Sequence, residues 1–472
     1  MKQKNSWIST HYTKLLIGIL FFAFFTRVFR LNIPERYIFD EVYHSVTAHL
    51  IAENDQRAYE WWNPPPEKNT AVDWLHPPLA KYTQALAINI FGYTSFGWRL
   101  SSALFGVAVI YVLARFMLEV THDYTISIVA AVLASLEGLL LVMSRIAMND
   151  IHVTFAVLLT LLVYLKVSPF TLKKELHWHT VRLYALTGVC AGIAIATKWS
   201  GVFVLGVIFF YETLALLEKL YFYTKQKKRS RRKNAIDLKQ IATHFFLILV
   251  AFVVLPVTVY ILSYSQMFLQ GKDWNHFVEL HKQIWWYQNN LEATHGYQST
   301  PAQWLLNQKP VWFHVVYEEN GSRGDIYAHG NSIILWSGLL AVFGYALHLV
   351  KKLLNAPDTK QPIETVIAAF RTTPAFLLLC YFAMWIVWVR SPRIMFFYHY
   401  AVALPFLIGL LSMGLMRLIR LPEKYQPLYQ ALAITLLTLA ATYFVLFYPH
   451  WTAIPLPVTF VESVYFFFES WK

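Results

Sequence analysis

Apolar positions along this chain fall in blocks near 20 residues long, divided by short polar turns and by two long stretches where polar and aromatic residues mix. A helix crossing a hydrocarbon layer of ~30 Å needs about 20 mainly apolar residues. Eleven segments are read as spans: Leu15–Phe29, Leu100–Leu118, Ile126–Val142, Ile151–Leu165, Leu183–Ala196, Gly201–Leu217, Ile241–Ser263, Ser332–Val350, Ala375–Val389, Phe397–Leu415 and Leu428–Tyr448. Lys198-Trp199-Ser200-Gly201 separates the fifth from the sixth and reads as a tight hairpin. The pattern predicts an all-α polytopic membrane protein whose residues 1–472 form a single transmembrane domain. Its longest connections are 30–98, 266–331 and a basic loop at 221–240. No internal repeat or Gly/Pro-broken helix pair of the transporter type is evident.

Composition agrees: of 472 residues, 57% are hydrophobic and 14% charged, whereas soluble domains carry about a quarter charged residues. Disordered, collagen-like and coiled-coil classes are excluded, and an ordinary soluble enzyme does not fit. The net charge of +13 could suggest nucleic acid, but eight of the 40 cations lie between Lys225 and Lys239, and no aromatic residue interleaves them. That run reads as a cytosolic loop that sets topology. With the N-terminus inside, Lys2, Lys4, Lys14, Lys173, Lys174, Arg182, Lys351, Lys352, Lys360, Arg371, Arg417, Arg420 and Lys424 all fall on the inner side. The two large loops then lie outside and are acidic on balance, with five Lys/Arg against eight Asp/Glu in 30–98 and four against six in 266–331. Residues 1–29 lack a small-residue cleavage site and read as a retained anchor. Cys190 and Cys380 fall inside spans, so no disulfide framework is implied.

Candidate chemistry collects at the outer ends of the hairpins. Phe39-Asp40-Glu41 opens the first large loop, and from Asp40 to Ala52 the spacing predicts a short helix on the membrane surface. His76-Pro77-Pro78-Leu79-Ala80-Lys81 follows, its prolines holding His76 at a defined angle. Arg99, Arg145, Lys198, Arg390 and Arg393 stand at or near outer hairpin tips, with Asp150 closing the Arg145 turn and Tyr398-His399-Tyr400 following Arg393. Cations at that depth are costly unless paired, so together they suggest a shared anion, a lipid phosphate. A sugar on a polyprenyl phosphate needs charge stabilisation of its leaving phosphate and a base for the incoming hydroxyl. One base without an opposed second carboxylate fits single displacement with inversion. His177-Trp178-His179 falls on the inner side, away from these residues, and His276 with His281 has i, i+5 spacing rather than the i, i+4 of a zinc helix. Trp274, Trp285, Trp286 and Tyr287 read as residues at headgroup level.

These residues resemble the protein O-mannosyltransferases, membrane glycosyltransferases of the GT-C architecture. Phe39-Asp40-Glu41 is similar to their acidic motif, and the His76–Lys81 run to their HPPLGK element with Ala where Gly is common. Arg99–Gly106 and Thr197-Lys198-Trp199-Ser200-Gly201 are similar to two further elements. In the second large loop His281, Gln283, Tyr287, His295-Gly296-Tyr297-Gln298-Ser299, Trp304 and Pro310 match. The resemblance implies that Asp40 is the base and that Glu41 positions substrate or loop. Arg99 and Lys198 would hold the phosphate or support the acidic motif, with Arg393 completing the donor site. His76, Arg145, Asp150, Tyr398, His399, Tyr400, His295 and Tyr297 would surround it. It implies dolichyl- or polyprenyl-phosphate mannose as donor, a Ser/Thr protein acceptor, membrane lipid and the secretion machinery as partners, and no nucleic acid. No cofactor is implied, the alternative being a divalent ion between Asp40 and the phosphate, as in some GT-C relatives. The site would face outside the plasma membrane, or the lumen of the endoplasmic reticulum in a eukaryote. The inserted MIR domain of eukaryotic members does not fit the 66 residues of 266–331, which resembles the short bacterial members. Rival readings are a GT-C enzyme moving another sugar, such as aminoarabinose or glucose, onto lipid or glycan, and a lipid-linked sugar transporter. The second would place polar residues at mid-span.

Overall fold

The computed structural model describes residues 7–167, 177–227, 238–357, 362–422, 425–466 and 468–471. Residues 228–237 of the basic run, with Lys2, Lys4, Lys173, Lys174, Lys360 and Lys424, lie outside the described residues. Among the described residues, eight helices are long and apolar enough to cross a membrane, and three shorter apolar helices bring the count to the eleven expected.

Helix α1 (Trp7–Val28) leads into the first large loop, which contains α2 (Glu41–Ala52) and α3 (Leu79–Phe91). The predicted helix is therefore present, but eight of its twelve residues are buried against the rest of the protein, so it is not the surface helix expected. Helix α4 (Ser95–Thr121) begins where the Thr94 hydroxyl accepts the Gly97 N–H. The third predicted span is broken into α5 (Tyr124–Ser135) and α6 (Gly138–Met143). The cause is Glu137, whose buried carboxylate accepts the N–H groups of Leu140 at 2.7 Å and Asn331 at 3.1 Å. One acid within an apolar run is easily read through, yet here it caps a new helix.

Helices α7 (Asp150–Leu165), α8 (Trp178–Thr197) and α9 (Phe203–Lys227) follow. The hairpin between the last two is as tight as expected: a Cβ on Gly201 would stand 2.3 Å from the Ala194 carbonyl oxygen. The seventh span joins α10 (Leu238–Leu249) to α11 (Leu255–Ser263) through a π-helical turn. The second large loop holds α12 (Ser265–Leu269), α13 (Trp274–Asn290), α14 (Pro301–Leu305), β1 (Val311–Tyr317) and β2 (Ser322–Ala328). With β3 (Leu456–Pro457) these strands form an antiparallel sheet of order β1-β2-β3. The all-α expectation thus needs a small amendment. Val311–Tyr317 is built from β-branched and aromatic residues that suit a strand, and Gly321 supplies the positive φ of the turn. The chain continues through α15 (Ser332–Leu354), α16 (Pro362–Phe370), α17 (Thr373–Trp385), α18 (Leu404–Ile419) and α19 (Gln426–Thr452).

Helix α4 packs on α7, α7 on α8, and α8 on α11, while α15 packs on α18. Lipid offers no hydrophobic drive between helices, so buried polar groups help fix the arrangement. Asn331 donates to the carbonyls of Leu136 and Ala440, tying α15 to the α5–α6 break and to α19. Glu212, buried within the bundle, accepts the hydroxyls of Tyr164 at 2.6 Å and Tyr184 at 2.8 Å and lies 2.9 Å from His244 Nε2. Polar residues are therefore not confined to the hairpins, as the sequence pattern suggested. Here the carboxylate links α7, α8, α9 and α10.

Candidate active site

The first large loop, the α6–α7 and α8–α9 turns, the segment before α18 and the second large loop meet at one end of the bundle. Asp40 and Glu41 are neighbours with opposite fates. Glu41 is fully buried. Its Oε1 accepts Arg99 Nε at 2.8 Å and the Ala147 N–H at 3.0 Å. Its Oε2 accepts Arg99 Nη2 at 2.8 Å and the Ile38 N–H at 3.1 Å. Arg99 gives its other N–H groups to the carbonyls of Leu31, Pro34 and Arg36. A guanidinium has about five N–H donors, and all of Arg99's are engaged. In this geometry Arg99 has none left for a phosphate; it instead supports the acidic motif and fixes the loop. Arg145 donates from its two Nη groups to the carbonyls of Thr26, Arg27, Phe29 and Arg30 at the end of α1, while its Nε is buried without a partner. These are the carbonyls a helix C-terminus leaves unpaired.

Asp40 stands at the start of α2 with no side-chain capping bond. Its Oδ2 accepts the Tyr398 hydroxyl at 3.5 Å. Burial pushes its carboxyl up to about 6, against the pull of His44 and Lys198. Phe39 is held in the left-handed region at φ 46°, a conformation costly for a bulky residue. Its ring stacks on Phe313 at 4.6 Å and meets Phe396 and Tyr398 edge-on.

Lys198 Nζ donates to Asp150 Oδ1 at 2.7 Å and lies 5.8 Å from the Tyr398 ring centroid. Arg393 donates from Nη1 to the Gln288 side-chain oxygen, while its Nε is buried without a partner. His399 stacks on Tyr398 at 4.7 Å and on Trp304 at 6.1 Å. His295 meets Phe39 at 6.2 Å and Tyr297 at 5.6 Å. Tyr400 pairs its hydroxyl with Tyr381 at 2.7 Å, within the helix packing rather than against Asp40. The expected run of site residues is thus brought together, apart from Arg99, whose N–H groups are all spent on the framework, Arg145, whose Nη groups hold the end of α1, and Tyr400, which pairs with Tyr381.

His76 leads to a residue that the sequence pattern passed over. Asp73 lies within 2.9 Å of His44 Nδ1 and 2.8 Å of both His76 Nδ1 and Lys81 Nζ. Burial opposes its charge, but His76, Lys81 and His44 outweigh that and hold its carboxyl well below the usual range. Burial pushes His76 down to about 4. The Asp-x-x-His spacing was the available signal. His44, Asp73 and His76 bring ligand atoms within 4.8 Å of one another. The buried Lys81 ammonium already supplies the counter-charge, donating also to the carbonyls of Asp73 and His76. This donor set therefore fits an ion pair and not a resident divalent ion. His276 and His281 bind separate partners, the Tyr59 carbonyl and the Tyr260 hydroxyl. On α13, Trp274, Trp285 and Trp286 are exposed, as headgroup residues would be.

A helical membrane bundle with a spare carboxylate and cations from distant hairpins at one end is the arrangement expected of a membrane glycosyltransferase of the GT-C type, and family and fold matches place the chain there. The chain belongs to the dolichyl-phosphate-mannose-protein mannosyltransferase family: that family's model matches residues 17–269. The model of the C-terminal four-transmembrane region of protein-O-mannosyltransferase matches 273–471. A polyprenol-phosphate-mannose–protein mannosyltransferase of Mycolicibacterium smegmatis is 24% identical over 492 aligned residues, covering 92% of this chain and 87% of that protein. One of Corynebacterium glutamicum is 23% identical over 399, covering 72% and 70%. The fold matches the S. cerevisiae Pmt1–Pmt2 complex bound to the sugar donor with a TM-score of 0.80 at 13% identity, covering 99% of this chain and 93% of that one. ArnT from Cupriavidus metallidurans matches at 0.54 and 14% identity, covering 94% and 76%.

Proposed function

We propose that Asp40 is the general base of an inverting transfer of mannose from polyprenyl-phosphate mannose to Ser or Thr hydroxyls of proteins, at the extracytoplasmic face of the membrane. The observation that carries this reading is the division between the two adjacent acids. Glu41 has its charge consumed by Arg99, whereas Asp40 keeps a carboxylate with one long hydrogen bond and a pKa raised to about 6. A base near that value is ionised at neutral pH and still takes a proton readily. Lys198 and Arg393 are the cations placed to stabilise the departing phosphate, Arg393 through its unpartnered Nε and Lys198 beside Asp150. Tyr398 orients Asp40, and His399 and His295 support the aromatic walls. No metal is required, because the leaving phosphate is met by fixed cations.

The test is transfer from radiolabelled polyprenyl-phosphate mannose to a Ser/Thr peptide by purified enzyme. Wild type should label the peptide. Asp40→Asn should bind donor normally and lose at least about a hundredfold in kcat, the usual contribution of a positioned base. Normal transfer by Asp40→Asn would remove Asp40 from the mechanism.

A further inference from the structure

Beside Phe39 lies an open cavity of about 460 Å³, lined by Arg36, Tyr37, Ile38, Phe39, Tyr297 and residues 312–315. Neither Lys198, Asp150 nor Arg393 lines it, so it is separate from the cations given to the phosphate. One wall is β1, an edge strand whose only sheet partner among the described residues is β2. In an antiparallel pair, residues alternately exchange hydrogen bonds with their opposite number or turn them away. Asp325, opposite Val315, gives its carbonyl to the Ala453 N–H on the far side of β2. The Glu318 N–H donates to Ser322 O, which places Val316 opposite Gly324 in the bonded register. Val315 and Tyr317 therefore turn their N–H and C=O away from β2, and Val315 is among the residues that line the cavity. The opposite wall, Arg36 to Phe39, ends on Asp40.

We propose that this groove seats the acceptor polypeptide as an extended strand pairing with the free edge of β1, so that its Ser or Thr lies beside Asp40. The proposal rests on the reading of Asp40 as the base in protein mannosylation and names how the acceptor is held. Main-chain pairing would supply affinity with little sequence preference. Phe39, Tyr297, Trp312 and Phe313 provide an aromatic lining, and Phe39, strained at φ 46°, carries the wall directly into the site. His314, held down to about 4 by burial and by Arg36 beside it, stays neutral there.

Binding separates this from the chemistry. A fluorescent, alanine-rich peptide with one central Thr is titrated against purified enzyme, together with analogues N-methylated at successive backbone positions. Affinity should fall about tenfold at alternate positions and little at those between, because strand pairing has a period of two. Val315→Pro removes an outward N–H and spares the β1–β2 ladder. It should weaken peptide binding about tenfold while donor affinity stays within about twofold. Uniform tolerance of N-methylation would overturn the groove, as would unchanged affinity in a folded Val315→Pro enzyme. Alternating sensitivity in a peptide that binds but receives no mannose would uphold the groove and overturn the transfer reading instead.

Discussion

Asp40 and Glu41 are adjacent in sequence, yet the fold makes one a structural ion and leaves the other reactive. Because the folded site raises the Asp40 carboxyl to about 6, the base is lost as pH falls through that value. The kcat/KM of wild type should decline about tenfold per pH unit below ~6, and a profile flat to pH 4.5 would exclude Asp40 as the titrating base. For Arg99 the structure revises the expected result. Glu41 and Arg99 are both almost fully buried, and removing one partner of a buried pair costs about 3–5 kcal/mol. Arg99→Gln should therefore lower the thermal midpoint strongly, while the molecules that remain folded keep their donor affinity. A selective loss of donor affinity without destabilisation would return Arg99 to the phosphate. The acid motif itself was legible in sequence, because Phe39-Asp40-Glu41 is local. Arg99's partner was not, since its five acceptors come from folding residues 31–41 back over α4.

At the scale of elements, the first large loop is held by its buried charges as well as by α2 and α3. His76 is kept neutral by burial, with its pKa lowered from 6.5 to about 4. Its unfolded counterpart takes up a proton below about 6.5, so protons favour the unfolded chain and stability falls as pH drops from 6.5 towards 4. His314 is shifted the same way. Asp73, with its pKa depressed, adds stability that is present above its unfolded value near 3.8 and is lost below it. The thermal midpoint should thus fall between pH 6.5 and 4, and His76→Gln should flatten that slope even though it weakens the fold. An unchanged slope in the variant would show that His76 is charged in the folded state. Helical spans were readable because a 20-residue apolar run has few alternatives in a membrane. The α5–α6 break and the β-sheet were not, since each depends on a distant partner: Asn331 for Glu137, and residues 456–457 for β2.

For the whole molecule, the ordering of charge along the chain carries the proposed orientation. Large loops that supply the site are acidic on balance, whereas the short connections at the other end hold the basic residues. Lys and Arg are retained on the cytoplasmic side, which would put Asp40, Lys198 and the β1 edge on the opposite face. Two positions report this directly. Leu269, at the end of α12, and Leu354, at the end of α15, are both highly exposed, at 88% and 72%. They lie on opposite sides of the eighth span. The native Cys190 and Cys380 are both buried, so neither should compete for a reagent that does not cross the bilayer. In intact cells Leu269→Cys should react with a membrane-impermeant maleimide, and Leu354→Cys should react only after permeabilisation. The reverse pattern would put the carboxylate and its cations on the cytoplasmic side. Acceptors would then have to be modified before they cross the membrane rather than as or after they emerge.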